Sequence, residues 1–401
     1  MGLNLTDCFN LMSKYKVSDL HLKVGAPPLV RKNGQLMRLH KEQFSLTNED
    51  ILNSVDPFLN PLQKNRLKEQ KQLDFSYGVK GVGRFRFNIF YQRGTLRLVA
   101  RNIPFEIPTY ESLNLPPALK NILKNPDQKG LILVTGATGS GKSSTIVAML
   151  DDINQKLSRH IITIEDPIEF LIKDKKSLIT QRELGADYIN YNMALKSTLR
   201  QDPDIIFFGE IRDFESMETT LTAANTGHLV FSTLHTNNVM DTIHRVLGMV
   251  SPEKKGLFRM EFASSLKAIV CQKLIMKKDN SGLIPAVEIL INNPRIRAFL
   301  EDEKRSTSNL YDVIEQSKEV WGMQSFNQHL VELVEKNLIS KEQALNCSPS
   351  PEKLTLHFSG LSQKNTEEHT QAENKKNNFF QSHELKTTRS SIPLDIVKDN
   401  S

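Results

Sequence analysis

The sequence feature that most constrains the fold is an eight-residue run, GATGSGKS, at residues 136–143. It matches G-x-x-x-x-G-K-[ST], in which glycines allow the backbone to wrap closely around phosphate oxygens. An apolar run at 131–134 precedes it, and a helical stretch at 143–157 follows it. The order strand, loop, helix predicts a phosphate-binding loop in a parallel α/β sheet, and it argues against a chance glycine-rich turn.

This loop is expected to bind a nucleotide. Its N–H groups and the N-terminus of the following helix supply positive potential. Lys142 would reach the β- and γ-phosphates, and the Ser143 hydroxyl would ligate Mg²⁺. The residues predicted to bind nucleotide are Gly136, Ala137, Thr138, Gly139, Ser140, Gly141, Lys142, Ser143 and Ser144.

Three further apolar strands end in polar residues. Glu165 and Asp166 follow the run 159–164, Glu210 follows Gly209 after 204–208, and His235 follows 228–234. Ligands of open α/β sheets bind outside the carboxyl ends of the strands. These side chains are therefore predicted to converge on the phosphate-binding loop.

Each of these side chains has a candidate role and a simpler alternative. Glu165 or Asp166 could hold Mg²⁺, directly or through water, or could merely cap a turn. Gly209 stands where a P-loop enzyme often has aspartate, which favours Glu165 for the metal and leaves Glu210 to polarise the attacking water. His235 could sense the γ-phosphate, although a lone histidine is more often structural.

The stretch 83–101 alternates apolar and polar residues on both sides of Arg93-Gly94. A two-residue turn there pairs apolar residues with apolar partners and sets Arg86 opposite Arg101. Like charges in this position are unfavourable, and a bound anion would relieve them. A solvated basic face is the alternative.

Composition sets broad limits. Of 401 residues, 52 are Lys or Arg and 46 are Asp or Glu, and the resulting +6 only mildly favours anionic partners. The three cysteines are far apart, so neither a metal cluster nor a disulfide framework is expected. With no signal-peptide pattern and no bilayer-spanning apolar run, we expect a cytoplasmic protein whose membrane association is peripheral.

Four regions are predicted along the chain. Residues 1–107 form a small α+β domain, and 108–118 form a Pro-rich linker. Residues 119–347 form the α/β nucleotide-binding domain with C-terminal helices. The polar composition after Gln363 predicts that 348–401 are a mostly disordered tail.

Four motifs resemble those of the type II/IV secretion ATPase superfamily. GATGSGKSS, IITIEDPIEF, ALKSTLRQDPDIIFFGEIRD and TGHLVFSTLHTNN are similar in order and spacing to its Walker A, Asp box, Walker B and His box. SDLHLKVGAPPLVRKNG and GRFRFNIFYQRG are similar to its PAS-like N-terminal domain. The resemblance implies a RecA-like P-loop ATPase domain preceded by a PAS-like domain.

Within that superfamily the chain resembles the PilT/PilU branch, the type IV pilus retraction motors. It has one small domain before the P-loop, no four-cysteine insert after 271–274, and similar C-terminal segments. The resemblance implies a hexameric motor that uses ATP and Mg²⁺, lies peripheral to the inner membrane and acts on a pilus platform protein. It also implies that Arg86 and Arg101, with Arg84 in reserve, complete the active site of the next subunit.

Two other functions stay open at this stage. The chain could be an accessory paralogue with weak hydrolysis that works with a partner motor ATPase. It could also be a nucleic-acid translocase, but no helix-turn-helix, zinc finger or aromatic-basic platform is evident, so no nucleic acid is expected.

Overall fold

A computed structural model describes residues 3–15, 17–32, 35–39, 45–103, 106–123, 129–302 and 308–359. The polar segment after Gln363 lies outside these residues. The chain divides into two compact units, residues 1–325 and 326–401, which are described separately below.

The larger unit contains all the strands of the described chain, and these are β1 Asp19–Lys23, β2 Leu29–Lys32, β3 Gln35–Arg38, β4 Gln72–Val79, β5 Gly83–Gln92, β6 Thr95–Ile103, β7 Gly130–Thr135, β8 His160–Glu165, β9 Leu178–Glu183, β10 Ile205–Phe208, β11 Leu229–Leu234, β12 Leu266–Met276 and β13 Leu283–Ile291. Its α-helices are α1 Leu5–Lys14, α2 Asn48–Val55, α3 Pro61–Gln70, α4 Ala118–Ile122, α5 Lys142–Lys156, α6 Tyr191–Thr198, α7 Phe214–Asn225, α8 Val239–Leu247, α9 Lys255–Ser265, α10 Pro294–Glu301, α11 Ser308–Gln316 and α12 Lys318–Trp321. Short 3₁₀ helices occupy Asp56–Phe58 and Pro252–Lys254.

The first sheet is antiparallel and has the order β3-β2-β1-β6-β5-β4. Its strands alternate buried and accessible residues, because successive side chains of a strand point to opposite faces. The buried face packs against α1, where the ring of Phe9 stacks on Phe85 with centroids 4.0 Å apart. Both rings belong to the apolar core of the first hundred residues.

The predicted hairpin register is confirmed. Gln92 pairs with Thr95 across the Arg93-Gly94 turn, and Arg86 stands opposite Arg101. Arg93 and Gly94 both have positive φ, 51° and 76°, which is the conformation a tight two-residue hairpin turn needs. The like-charged pair is therefore present as expected.

An anion beside this pair comes from the chain itself. Asp19 on β1 is aligned with Arg101, and its Oδ1 accepts a hydrogen bond from Arg101 Nε at 2.7 Å. Burial opposes ionisation of Asp19, but hydrogen bonds from Arg101 and Ser18 prevail and hold its pKa below the usual value. Arg101 is thus partly neutralised, although its side chain is 68% exposed.

The second sheet has seven strands in the order β13-β12-β7-β11-β10-β8-β9. All neighbouring strands are parallel except the β12–β13 pair. Every residue of β7, β10 and β11 is buried, as expected for strands covered by helices on both faces. The expected α/β class is borne out, and one antiparallel edge strand is added to it.

The predicted linker is packed on the second sheet. Tyr110 and Leu115 are buried in the same apolar core as Leu119 and Ile132. Both sheets lie in one compact unit, so the boundaries proposed at 107 and 119 stay predictions.

The smaller unit is helical in its described part, with α13 Phe326–Glu335, α14 Lys341–Cys347 and α15 Pro351–Phe358. The last helix lies within the segment 348–401, for which a mostly disordered tail stays a prediction. A proline in the first turn favours its start, and Leu354 is buried. Ser348 Oγ donates to Asn327 Oδ1 at 2.7 Å, which ties the segment before α15 to α13.

No helix in the described ranges is both long and apolar enough to cross a membrane.

Candidate functional site

The loop between β7 and α5 has the backbone shape that phosphate binding requires. Gly136, Gly139 and Gly141 all have positive φ, at 148°, 79° and 87°. Lys142 is buried, and its Nζ donates to the carbonyls of Gly136 and Ala137 at 2.8 and 3.0 Å. The first turn of α5 leaves N–H groups without intrahelical partners, so the loop can offer donors to an anion.

Gln272 on β12 holds this loop from behind. Its Nε2 donates to the Ser140 carbonyl at 2.8 Å, and its Oε1 accepts from Thr145 Oγ1 at 2.8 Å. A Cβ on Gly136 would lie 2.3 Å from the Gln272 carbonyl oxygen, and one on Gly141 would lie 2.8 Å from Gln272 Nε2. Two of the loop glycines are therefore required by the close approach of this strand.

Glu165 ends β8 and is almost completely buried. Burial raises the pKa of its carboxyl to about 7, although hydrogen bonds from Thr163 and Gln181 lower it in part. Thr163 Oγ1 lies 2.6 Å from Glu165 Oε1, and Gln181 Nε2 lies 3.0 Å from the same oxygen. A backbone hydrogen bond at Glu169 also favours the ionised carboxyl, and Glu165 lines the cavity described below.

Glu210 lies two residues beyond β10 and is held at both carboxyl oxygens. His235 Nε2 lies 3.2 Å from Oε1, and Arg212 Nε donates to Oε2 at 3.1 Å. Arg212 also donates from Nη2 to Asp166 Oδ2 at 3.3 Å. The ends of β8, β10 and β11 are thereby connected through polar side chains.

These groups share one cavity of about 590 Å³ at the carboxyl edge of the second sheet. It brings together Lys142, Glu165, Glu210 and His235, as the sequence predicts. Of the expected loop residues, Gly136, Ala137 and Ser140 are not among the lining residues. The lining residues are Thr138, Gly139, Gly141, Lys142, Ser143, Ser144, Glu165, Asp166, Pro167, Glu169, Tyr191, Phe207, Gly209, Glu210, Arg212, Thr233, His235 and Leu274.

The arginines of the first sheet are outside this lining. Arg86 is exposed, and Arg101 pairs with Asp19. Arg84 instead forms an ion pair with Glu183, at 3.3 Å from Nη2 to Oε2, and Glu183 Oε2 also accepts from the Ile168 N–H. A single chain therefore does not bring Arg86 or Arg101 to its own cavity.

The oxygen donors of the cavity fit a magnesium ion that is also bound by phosphate. Ser143 and Glu165 both line the cavity. In the described part of the chain, no group of three or more His, Cys, Asp or Glu side chains is arranged to hold a metal alone. Mg²⁺ commonly takes one or two protein oxygens, water and substrate phosphates, so this donor set is suitable for it.

Two residues that support the site, Gln272 and Tyr191, were not predicted from the sequence. Gln272 left a detectable signal, since it is a lone amide in the apolar run 268–275. Tyr191 left none, although it lies three residues before the motif at 194–213, because spacing does not show which backbone groups its hydroxyl contacts. Both become recognisable only when the strands are assembled.

A glycine-rich loop between a buried parallel strand and a helix, facing carboxylates from two neighbouring strands, defines a P-loop nucleotide-binding protein. The family model described as "Type II/IV secretion system protein" matches residues 31–345. The chain belongs to this family, as its motifs predicted.

Two relatives and one solved structure support this family assignment. The chain is 40% identical over 350 residues to the type IV pilus retraction ATPase PilT of Pseudomonas aeruginosa, covering 87% of this chain and 99% of PilT. It is 36% identical over 346 residues to the type IV pilus ATPase PilU of the same organism, covering 86% and 89%. The crystal structure of the pilus retraction motor PilT with bound ADP superposes with a TM-score of 0.81 at 41% identity, covering 88% of this chain and 98% of that one.

We predict that Gln272→Leu weakens nucleotide binding by about tenfold, because the Ser140 carbonyl and Thr145 hydroxyl lose their buried partner. Titration with a fluorescent ATP analogue measures the affinity. Gln324→Leu is the matched control, since buried Gln324 donates to the Val287 carbonyl at 2.8 Å away from the cavity lining. An affinity of Gln272→Leu equal to that of the wild type would show that the hydrogen bonds of Gln272 do not matter for nucleotide binding.

We predict that Glu165→Gln changes how stability depends on pH. The folded carboxyl has a pKa of about 7 against an ordinary 4.5, so the folded state holds the proton more tightly and wild-type stability falls as pH rises between these values. Without nucleotide or Mg²⁺, wild type should lose about 3 kcal/mol more than the variant between pH 5 and 8.

Urea denaturation at the two pH values measures this difference. Glu218, which is exposed on α7 and lies outside the cavity lining, provides the control variant Glu218→Gln, which should follow the wild type. An equal change in the free energy of unfolding between the two pH values, for wild type and Glu165→Gln, would contradict a raised pKa of the buried Glu165 carboxyl.

Proposed function

We propose that the chain is an ATP-hydrolysing motor that powers type IV pilus retraction and hence twitching motility. The observation that carries the proposal is the placement of Glu210 in the P-loop cavity with Lys142. The similarity to a pilus retraction ATPase over 87% of this chain supports the same conclusion.

The cavity residues divide the work of phosphoryl transfer. Loop N–H groups and Lys142 bind the triphosphate, and Glu210 accepts a proton from the attacking water. Ser143 and Glu165 would hold Mg²⁺, which neutralises charge on the phosphates when bound. His235, 3.2 Å from Glu210, is placed to respond when the γ-phosphate leaves.

Arg86 and Arg101 are proposed to act on the nucleotide of a neighbouring subunit in a hexameric ring. Both side chains are exposed in this chain and neither reaches its own cavity, which supports an intersubunit role. Cations placed around the triphosphate stabilise the charge that develops during transfer. Arg84 is less suited to that task because Glu183 already binds it.

The motor is proposed to work at the cytoplasmic side of the inner membrane, on the pilus platform protein. Loss of the γ-phosphate would release the arginines of the neighbouring subunit and so turn hydrolysis into movement of one domain on another. No nucleic acid takes part in this scheme.

An accessory role beside a paralogous motor ATPase is the second candidate, favoured by the 36% identity to PilU over 86% of this chain. Steady-state hydrolysis by the purified chain, alone and mixed with its paralogue, separates the two. Substantial activity of the chain alone supports the main motor, and activity only in the mixture supports the accessory role.

We predict that Glu210→Gln binds ATP with near wild-type affinity but hydrolyses it at least about 100-fold more slowly, because the water loses its proton acceptor. Phosphate release and analogue titration measure the two quantities. Cells carrying this variant should extend pili that do not retract, with Glu215→Gln, on the exposed surface of α7, as the control. Near wild-type turnover would remove Glu210 from this role.

We predict that Arg86→Ala and Lys142→Ala are each inactive alone, yet regain hydrolysis when mixed. A mixed ring contains interfaces in which an intact P-loop of one subunit meets an intact arginine of the other. Mixing in equal amounts should restore about a quarter of wild-type activity if interfaces assemble at random and act independently. Mixtures that stay inactive although native mass spectrometry shows mixed rings would place Arg86 outside the shared site.

A further inference from the structure

Tyr191 lies between the carboxyl ends of two strands that carry the candidate catalytic carboxylates. It is the first residue of α6, and its hydroxyl donates to the Ile164 carbonyl at 3.3 Å. The same hydroxyl accepts from the Glu210 N–H at 3.1 Å. One oxygen thus joins the residue before Glu165 to the backbone of Glu210.

The hydrogen bonds of Tyr191 lie just beyond the point where the pairing of β10 with β8 ends. Phe208 pairs with Ile164 in the last register position of β10 and β8, and the Gly209 N–H donates to the Ile164 carbonyl at 2.9 Å. The next N–H belongs to Glu210, and β8 offers it no further carbonyl. The Tyr191 hydroxyl is the partner of this part-buried N–H, while Thr233 Oγ1 on β11 donates to the Gly209 carbonyl of the same peptide at 2.6 Å.

The Tyr191 hydroxyl occupies the space that a side chain at residue 209 would need. A Cβ built on Gly209 would lie 2.6 Å from Tyr191 Oη, while the next nearest atom is the Ile164 carbonyl oxygen at 3.2 Å. Gly209 is not among the residues with positive φ, so its backbone would accept a side chain. The space taken by Tyr191 therefore explains the absence of a side chain just before Glu210.

The Tyr191 ring also acts on the Glu210 side chain. The Arg212 guanidinium lies 5.6 Å from the ring centroid, within the range of a cation–π interaction. Arg212 in turn donates to Glu210 Oε2. Burial raises the pKa of the Tyr191 hydroxyl, which therefore stays protonated and able both to donate and to accept.

We propose that Tyr191 is a positioning residue for hydrolysis, which holds Glu210 through its N–H and through Arg212, and that Gly209 is its steric counterpart. The inference rests on the proposed function of Glu210 as the group that activates water. In this role Tyr191 does not contact the nucleotide.

The first test is Tyr191→Phe, which removes the hydroxyl and keeps the ring. The expected result is a fall in kcat of about 3- to 10-fold, with KM and the affinity for a fluorescent ATP analogue within about twofold of wild type. Tyr110→Phe is the matched control, because the buried Tyr110 hydroxyl has no hydrogen-bond partner among the described residues. An unchanged kcat, or an equal loss of binding, would overturn the proposal.

The second test asks whether Tyr191 acts through Glu210. In the Glu210→Gln background, Tyr191→Phe should cause no further loss in single-turnover hydrolysis. An equal loss in both backgrounds would show that Tyr191 works by another route. If Glu210→Gln itself hydrolyses ATP normally, the proposed role of Glu210 fails, and that outcome is distinct from failure of Tyr191→Phe alone.

The third test uses Gly209. Gly209→Ala should lower kcat more than Tyr191→Phe does, because its methyl group displaces the hydroxyl. The double variant should be more active than Gly209→Ala alone, since the closest contact is then the carbonyl at 3.2 Å. Additive losses, in variants whose circular dichroism shows that they fold, would contradict the proposed fit between Tyr191 and Gly209.

Discussion

The parallel pairing of β7, β11, β10 and β8 is the constraint on which the rest of the site depends. Parallel strands that neighbour one another end at the same edge, so residues far apart in sequence come together there. Lys142, Glu165, Glu210 and His235 share a cavity for this reason alone. Every residue of β7, β10 and β11, which support this edge, is buried.

Polar side chains beneath that edge give the cavity its shape. Gln272 holds the P-loop, Thr163 and Gln181 hold Glu165, and Tyr191 holds the backbone of Glu210. A buried polar group is costly without a partner, so each of these contacts restricts its neighbour to one arrangement. The result is a set of reactive groups that are positioned before any nucleotide enters.

In the first sheet, one face is buried and the other carries charged side chains. Its apolar face is specified by alternation, and the same alternation places Arg86 opposite Arg101. Asp19 reduces that repulsion from the next strand, while both arginines keep their exposure to solvent. A surface that holds positive charge in this way is suited to an anion offered by another molecule.

Local patterns determined much of this protein. The P-loop, the four strands around it and the hairpin register could be predicted, because each depends on residues close in sequence: glycines in a turn, apolar runs, and alternation across two residues. The helix Pro351–Phe358 escaped prediction because a polar segment gives a weak apolar pattern. The family followed from four motifs in order, and the matched residues 31–345 confirm it.

Tertiary structure decided which side chains support the reactive ones. Neither the contact of Tyr191 with Glu210 nor that of Gln272 with the P-loop can be inferred from spacing, since the partners are 19 and 132 residues apart. The burial that raises the pKa of Glu165 is equally a property of the assembled sheet. A sequence specifies which groups a chain possesses and which local elements they form, whereas distance, burial and hydrogen-bond partners exist only once the strands and helices have packed together.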